Sequence, residues 1–209
     1  MSASRLTPPR PWAPMTDQEW AALLPYLLHR SPQGRPLREL RQRMDGIFAL
    51  ATSHAPWRAL PERFGKADTV ARYFCRLIHA GLWQRLLVAL AEAAPSHPLR
   101  AIEHFIVRAT RRAHRILGLP LLVLIRRIGL RSALRAPPWL LPDPDLSETL
   151  LRQPLAWLRA AAPPAEAAGT PPATTPARAW KERFSALRSL LRTAWGRARI
   201  SRSVCWGWP

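Results

Sequence analysis

Apolar residues recur at three- and four-residue spacing along most of this chain, and prolines divide the pattern into segments. Trp20, Leu23, Leu24, Leu27 and Leu28 form a first stripe, opened by Thr16 as N-cap with Glu19 three residues on to complete a capping box, and bent or shortened by Pro25. Residues 37–53 set Leu40, Met44, Ile47, Phe48 and Ala51 against Arg38, Arg41, Gln42 and Asp45. Trp57, Leu60 and Phe64 then predict a short helix, Gly65 breaks it, and Asp68-Thr69 supplies a side-chain cap for the next. In that next helix Val70, Phe74, Leu77 and Ile78 fall on one side, and Thr69, Arg72, Tyr73 and Arg76 on the other. Short helix, tight turn and second helix make a helix-turn-helix signal. The polar side suits DNA, and it equally suits the solvated outside of an ordinary helical bundle.

The pattern continues with a helix over residues 82–94 whose Trp83, Leu86, Leu87 and Leu90 face inward. Trp20, Trp57 and Trp83 are the expected aromatic anchors of a compact core. Residues 95–98 close this unit. Residues 99–117 predict a basic amphipathic helix, with Ile102, Phe105, Ile106, Ala109, Ala113 and Ile116 opposite Arg100, Arg108, Arg111, Arg112 and Arg115. Residues 119–128 are strongly apolar but too short to span a bilayer, so no transmembrane span is expected. They suit burial or a membrane surface. Beyond a Pro-rich break, residues 146–162 predict a helix disturbed by Pro154, residues 163–177 a Pro/Ala/Thr linker, and residues 177–198 a last helix with Trp180, Phe184, Leu187, Leu191 and Trp195 on one stripe. Residues 1–14, with four prolines, read as a disordered lead-in, and residues 200–209 support no structure.

A formal net charge of +19 over 209 residues points to a polyanionic partner, nucleic acid before membrane. All the basic residues but Lys66 and Lys181 are arginine or histidine, which resembles the coding bias of a GC-rich genome and discounts the raw charge. Two cysteines, Cys75 and Cys205, make no disulfide framework; a reduced, half-buried Cys75 and a cytoplasmic setting are expected. Cys75 and His79 stand four apart without a second ligand pair, so no metal centre is expected. No apolar signal-peptide core precedes residue 15.

The order TDQEW (Thr16 to Trp20), GRP (Gly34 to Pro36), APWRALPERFG (Ala55 to Gly65), TVARYF (Thr69 to Phe74) and AGLWQRLLVAL (Ala80 to Leu90), with a helix ending near Ala51, resembles the N-terminal domain of bacterial insertion-element transposases of the DDE class. The resemblance covers roughly residues 15–90. Lys66-Ala67-Asp68 departs from it, standing where a Trp and a small polar residue are expected. The resemblance implies binding to double-stranded DNA at the terminal inverted repeats of an insertion element. On that reading Thr69, Arg72, Tyr73 and Arg76 enter the major groove, while Arg35, Arg38, Arg41 and Arg58 hold phosphates.

Transposases of this class cut DNA with divalent metal ions held by three carboxylates, the first of them shortly after the helical domain. Glu103 in the stretch Ala101 to Arg108 is the one weak candidate for that place. The acids beyond it are Asp143, Asp145, Glu148, Glu166 and Glu182, two of them between prolines and one in the linker, and Glu103 reads more simply as a helix-surface ion pair with Arg100 and Arg108. No intact carboxylate triad is visible, and no cofactor is expected unless another chain or frame supplies a metal-bearing catalytic domain.

The expectation is therefore an all-α protein: a disordered lead-in (residues 1–14), a helix-turn-helix DNA-binding domain (15–94), a divergent helical extension (95–162), a linker (163–177), and a basic amphipathic helix and tail (178–209). It reads as a truncated or first-frame transposase product, associating with itself or with a full-length transposase. The alternatives are a basic amphipathic protein of a membrane or interaction surface, or a remnant without function.

Overall fold

A computed structural model describes residues 5–27, 39–53, 55–152, 176–197 and 199–209, and of residues 150–152, 176–180 and 183 the backbone alone. The protein is all-α, as expected. Among the described residues the helices are α1 (Asp17–Leu27), α2 (Leu40–Ser53), α3 (Ala67–His79), α4 (Leu82–Glu92), α5 (Pro98–Ala101), α6 (Glu103–Ile128), α7 (Pro144–Arg152), α8 (Pro176–Trp195) and α9 (Arg202–Gly207). They form two compact units, residues 1–135 and 136–208.

In the first unit α6 is the central helix. It packs chiefly on α2 and α4, and also meets α3 and α5. Phe105, Ile106, Ala109, Ala113, Leu121 and Ile125 line its buried side. Phe105 meets Phe48 of α2 with ring centroids 5.8 Å apart. The boundary expected at residue 94 therefore falls inside a single core, because the apolar faces of α2 and α4 need α6 to cover them. Gly118, at φ 58° and ψ −140°, is non-helical and breaks α6 just before Pro120, so the segments expected at 99–117 and 119–128 are two helical arms meeting at a kink. Among the aromatic anchors only Trp83 is fully buried; Trp20 and Trp57 are half-buried.

The lead-in is anchored. Its prolines exclude helix, but Arg5 and Thr7 reach the start of α6, and the Thr7 N–H donates to Ser132 Oγ at 2.6 Å. Glu103 is the hub of this attachment. Its carboxylate is 8% exposed. It accepts from Arg5 Nε at 3.3 Å and Nη2 at 2.9 Å, from Thr7 Oγ1 at 2.6 Å, and from Arg100 Nη1 at 3.0 Å. The expected surface ion pair is thus a buried one, with Arg100 and Arg5 as its cations. Arg10 continues the strap to α1, donating to Glu19 Oε1 at 2.7 Å. The Thr16–Glu19 capping box forms as expected: the Thr16 N–H donates to Glu19 Oε2 at 2.7 Å and the Glu19 N–H to Thr16 Oγ1 at 3.3 Å. Burial works to raise the Glu19 carboxyl, and bonds from Thr16 and Arg10 outweigh it and hold its pKa low. Asp45, expected on the outer face of α2, is buried and accepts from the Met15 N–H at 3.1 Å. Burial raises its pKa.

The helix expected at Trp57 to Phe64 is instead two 3₁₀ turns, Trp57–Ala59 and Glu62–Phe64. Pro61 between them has no N–H to give a helix and blocks the carbonyl four residues back. The second turn lies close against α2 at Gly46, where a Cβ would stand 2.7 Å from Phe64 Cβ and 2.9 Å from Cγ. In the second unit α7 packs on α8. Gly196, at φ 71°, ends α8 against the Leu141 backbone, and the Asp143 N–H donates to Ala194 O at 2.6 Å. The tail, for which no structure was expected, forms α9, capped by Ser201 Oγ. Residues 163–175 of the expected linker and 153–162 of the expected helix lie outside the described residues.

Gly46→Ala should lower stability by about 1–2 kcal/mol, since the overpacking against Phe64 exceeds the helix-propensity gain; urea denaturation measures it. Glu103→Gln should cost about 2 kcal/mol or more, because it leaves two guanidinium groups with a weaker, partly mismatched acceptor. A further dependence is on pH. Burial, then Arg108, Arg111 and Arg10, push His104 down from 6.5 to about 4, and burial and Arg135 lower His114. Both groups are held neutral in the fold, so the unfolded chain takes up protons first. Their effect on stability should be absent above about pH 6.5, the unfolded value, and destabilising as pH falls from there toward 4. Thermal melts across that window, with His104→Gln flattening part of the slope, check it.

Candidate nucleic-acid interface

α3 begins after a sharp turn. Gly65 takes φ 97°, a conformation that favours glycine, and Lys66 is the N-cap, its carbonyl accepting from the Val70 N–H at 3.1 Å. No side chain caps the helix. Asp68 and Thr69, expected as the cap, lie within the first turn, where Asp68 complements the helix dipole. Val70, Phe74, Leu77 and Ile78 are buried as the spacing predicts. On the opposite side Asp68, Thr69, Arg72, Cys75, Arg76 and His79 are all exposed. Thr69, Arg72, Arg76 and His79 follow one another at three- and four-residue steps, forming a continuous polar stripe more than two turns long.

Tyr73 does not belong to that stripe. It is 4% exposed, because its position falls at the edge of the buried arc. Burial raises its phenol to about 12, and the ring lies beneath Arg76, whose guanidinium carbon is 5.7 Å from the ring centroid. It supports Arg76 and does not itself face outward. Cys75 departs from expectation in the other direction, being exposed instead of half-buried.

The expected phosphate contacts divide. Arg58 is exposed on the first 3₁₀ turn. Arg41 is half-exposed and engaged at the surface, donating to Asp17 Oδ1 at 2.6 Å and to the Met15 carbonyl. Arg35 and Arg38, with the GRP segment, lie outside the described residues. Three basic groups were missed: Lys66 in the turn, His79 at the end of the stripe, and Arg63. Arg63 sits over the Phe64 ring at 4.8 Å and near Trp12 at 5.7 Å. Extending the step from Arg76 by three would have found His79. The site of Arg63 depends on the 3₁₀ turn and the strap, which spacing does not reveal.

Behind α3 stands a row of aromatic contacts, Trp57 to Phe74 at 5.2 Å and Phe74 to Trp83 at 5.4 Å. Arg112 of α6 covers the outer end of the row, 5.0 Å over Trp57, and donates to the Ala55 carbonyl. Arg85 Nη1 closes the C-terminal end by donating to Ala80 O at 2.6 Å. The polar stripe is therefore presented by a helix fixed at its base and at its C-terminal end.

Glu103 does not fit a metal ion. Its oxygens are taken by four donors from Arg5, Thr7 and Arg100, and three of the four belong to the two positively charged guanidinium groups. Among the described residues no three His, Cys, Asp or Glu side chains gather as a ligand set. No helix among them is long and apolar enough to cross a membrane.

No curated protein and no solved structure matches the chain. Residues 15–87, from Met15 ahead of α1 to Leu87 in α4, match the family described as "Putative transposase of IS4/5 family", consistent with an N-terminal transposase domain.

Proposed function

We propose that the first unit is a duplex-DNA-binding module that recognises the ends of an insertion element, with α3 as its recognition helix. The observation that carries this reading is the exposed stripe Thr69, Arg72, Arg76 and His79, set on a helix whose other side is buried. An α-helix fits the major groove, and arginine pairs bidentately with guanine there. Arg72 and Arg76 are the base-reading groups, Thr69 an adaptable hydroxyl beside them, and Tyr73 the platform under Arg76. Lys66 and Arg58, ahead of the helix, hold phosphates and set its register. The chain's place is the cytoplasm, where the element's DNA lies. Strand cleavage is no part of this reading, since among the described residues no carboxylates gather to hold a divalent metal.

The test is a binding titration of the full chain on the terminal repeat of its parent element, beside a scrambled duplex, over a salt series. The repeat should be preferred, with affinity falling steeply as salt rises. Arg72→Ala with Arg76→Ala should abolish the preference, weaken binding to the repeat roughly ten- to a hundred-fold and leave the thermal melt intact. Equal affinity for both duplexes in the wild-type chain overturns end recognition. An unchanged preference in the double variant overturns the role of α3.

A further inference from the structure

The second unit carries a surface that duplex recognition by α3 does not use. On α8 the side chains of Phe184, Trp195, Arg188, Lys181 and Arg192 occupy one arc about 80° wide at 100° per residue. Trp195 is 72% exposed and Phe184 50%, and the three cations are exposed. The helix packs on α7 through other positions: Leu187 and Leu191 are half-buried and Ala194 is fully buried. The exposed arc is therefore not the unpaired half of a hydrophobic seam. It mixes two aromatic rings with three positive charges, and Phe184 and Trp195 stand about 16 Å apart along the axis.

That mixture decides between partners. A helix lying in a bilayer surface separates its apolar residues from its cations, so that one face sinks while the other stays in the headgroups. Here sinking the rings would draw Arg188 down with them, since it lies between them along the axis and only about 20° from Trp195 around it. Double-stranded DNA offers phosphates but keeps its base faces stacked, leaving Trp195 without a partner. A single strand offers both: unstacked bases for flat rings and phosphates for the cations between them.

We propose that this arc of α8 binds single-stranded nucleic acid, with bases stacked on Trp195 and Phe184 and phosphates paired with Arg188, Arg192 and Lys181. The binding needs no sequence preference, because every base has a π face. It is independent of duplex recognition by α3, and either reading stands if the other fails.

The probe is a labelled oligothymidine 20-mer titrated against the full chain, with an excess of unlabelled duplex present to occupy other basic surfaces. Trp195→Leu keeps apolar area but removes the flat ring, and should weaken oligothymidine binding roughly ten-fold, while Trp195→Phe restores most of it. Arg188→Ala with Arg192→Ala should weaken it further and reduce its salt dependence. Arg72→Ala with Arg76→Ala should leave it unchanged. All these α8 positions are exposed, and circular dichroism checks that each variant keeps its helix content. Unaltered oligothymidine affinity in Trp195→Leu overturns the proposal. So does binding to phosphatidylglycerol vesicles that survives Trp195→Leu and displaces the oligonucleotide, which would assign the face to an anionic membrane.

Discussion

The first unit depends on the burial of one helix. α2 and α4 each present a row of large apolar side chains, Met44, Ile47 and Phe48 on one and Leu86, Leu87 and Leu90 on the other, and α6 lies over both. At roughly 2 kcal/mol for each large side chain buried, the helix supplies far more than the local hydrogen bonds of the capping boxes and turns. α3 inherits its fixed position from this arrangement, through Phe74 against Trp83 and through Arg112 over Trp57. The family match ends at residue 87, before the helix on which the matched helices close. Similarity and folding therefore have different boundaries in this chain.

Arginine has two distinct employments here. Arg5, Arg10, Arg85, Arg100 and Arg112 turn to carboxylates, carbonyl oxygens or an aromatic ring of the protein itself. The planar guanidinium, with five donors and a weakly hydrated face, suits such partly buried tasks better than an ammonium does. The formal charge of +19 consequently overstates what a polyanion would meet. What remains outward on the proposed interface is a short run on α3 and its turn, and position matters there more than total charge.

Helix type and facing were legible wherever a single element decides its own pattern. The buried side of α3, the Thr16–Glu19 capping box and the inward residues of α4 all follow from spacing and cap chemistry. The misreadings arose where two separated segments decide jointly. Asp45 turns inward because Met15 needs an acceptor, thirty residues away in sequence. Glu103 lies buried because Arg5 and Thr7 come to it from the strap, and the proline-rich strap looks shapeless until those partners are in place. Tyr73 shows a finer limit, since its angular place on the helix is borderline and only the packing around it decides the matter. Of the proposed interface, the two central arginines were readable from periodicity, while Arg63 and the pairing of Arg41 with Asp17 were not.

The strap also joins the two sequence extremes of the unit. Arg5 donates its N–H to Gly129 O at 3.1 Å and forms an isolated bridge with Leu130, and Thr7 bonds to Ser132. A chain emerging from the ribosome exposes its first residues early, yet the carbonyls and hydroxyl that hold them are made about 125 residues later. The same order of synthesis leaves the apolar faces of α2 and α4 without cover until α6 follows them, a few seconds at translation speeds of about 5–20 residues per second. The unit therefore closes late in its own synthesis, once α6 is out of the exit tunnel.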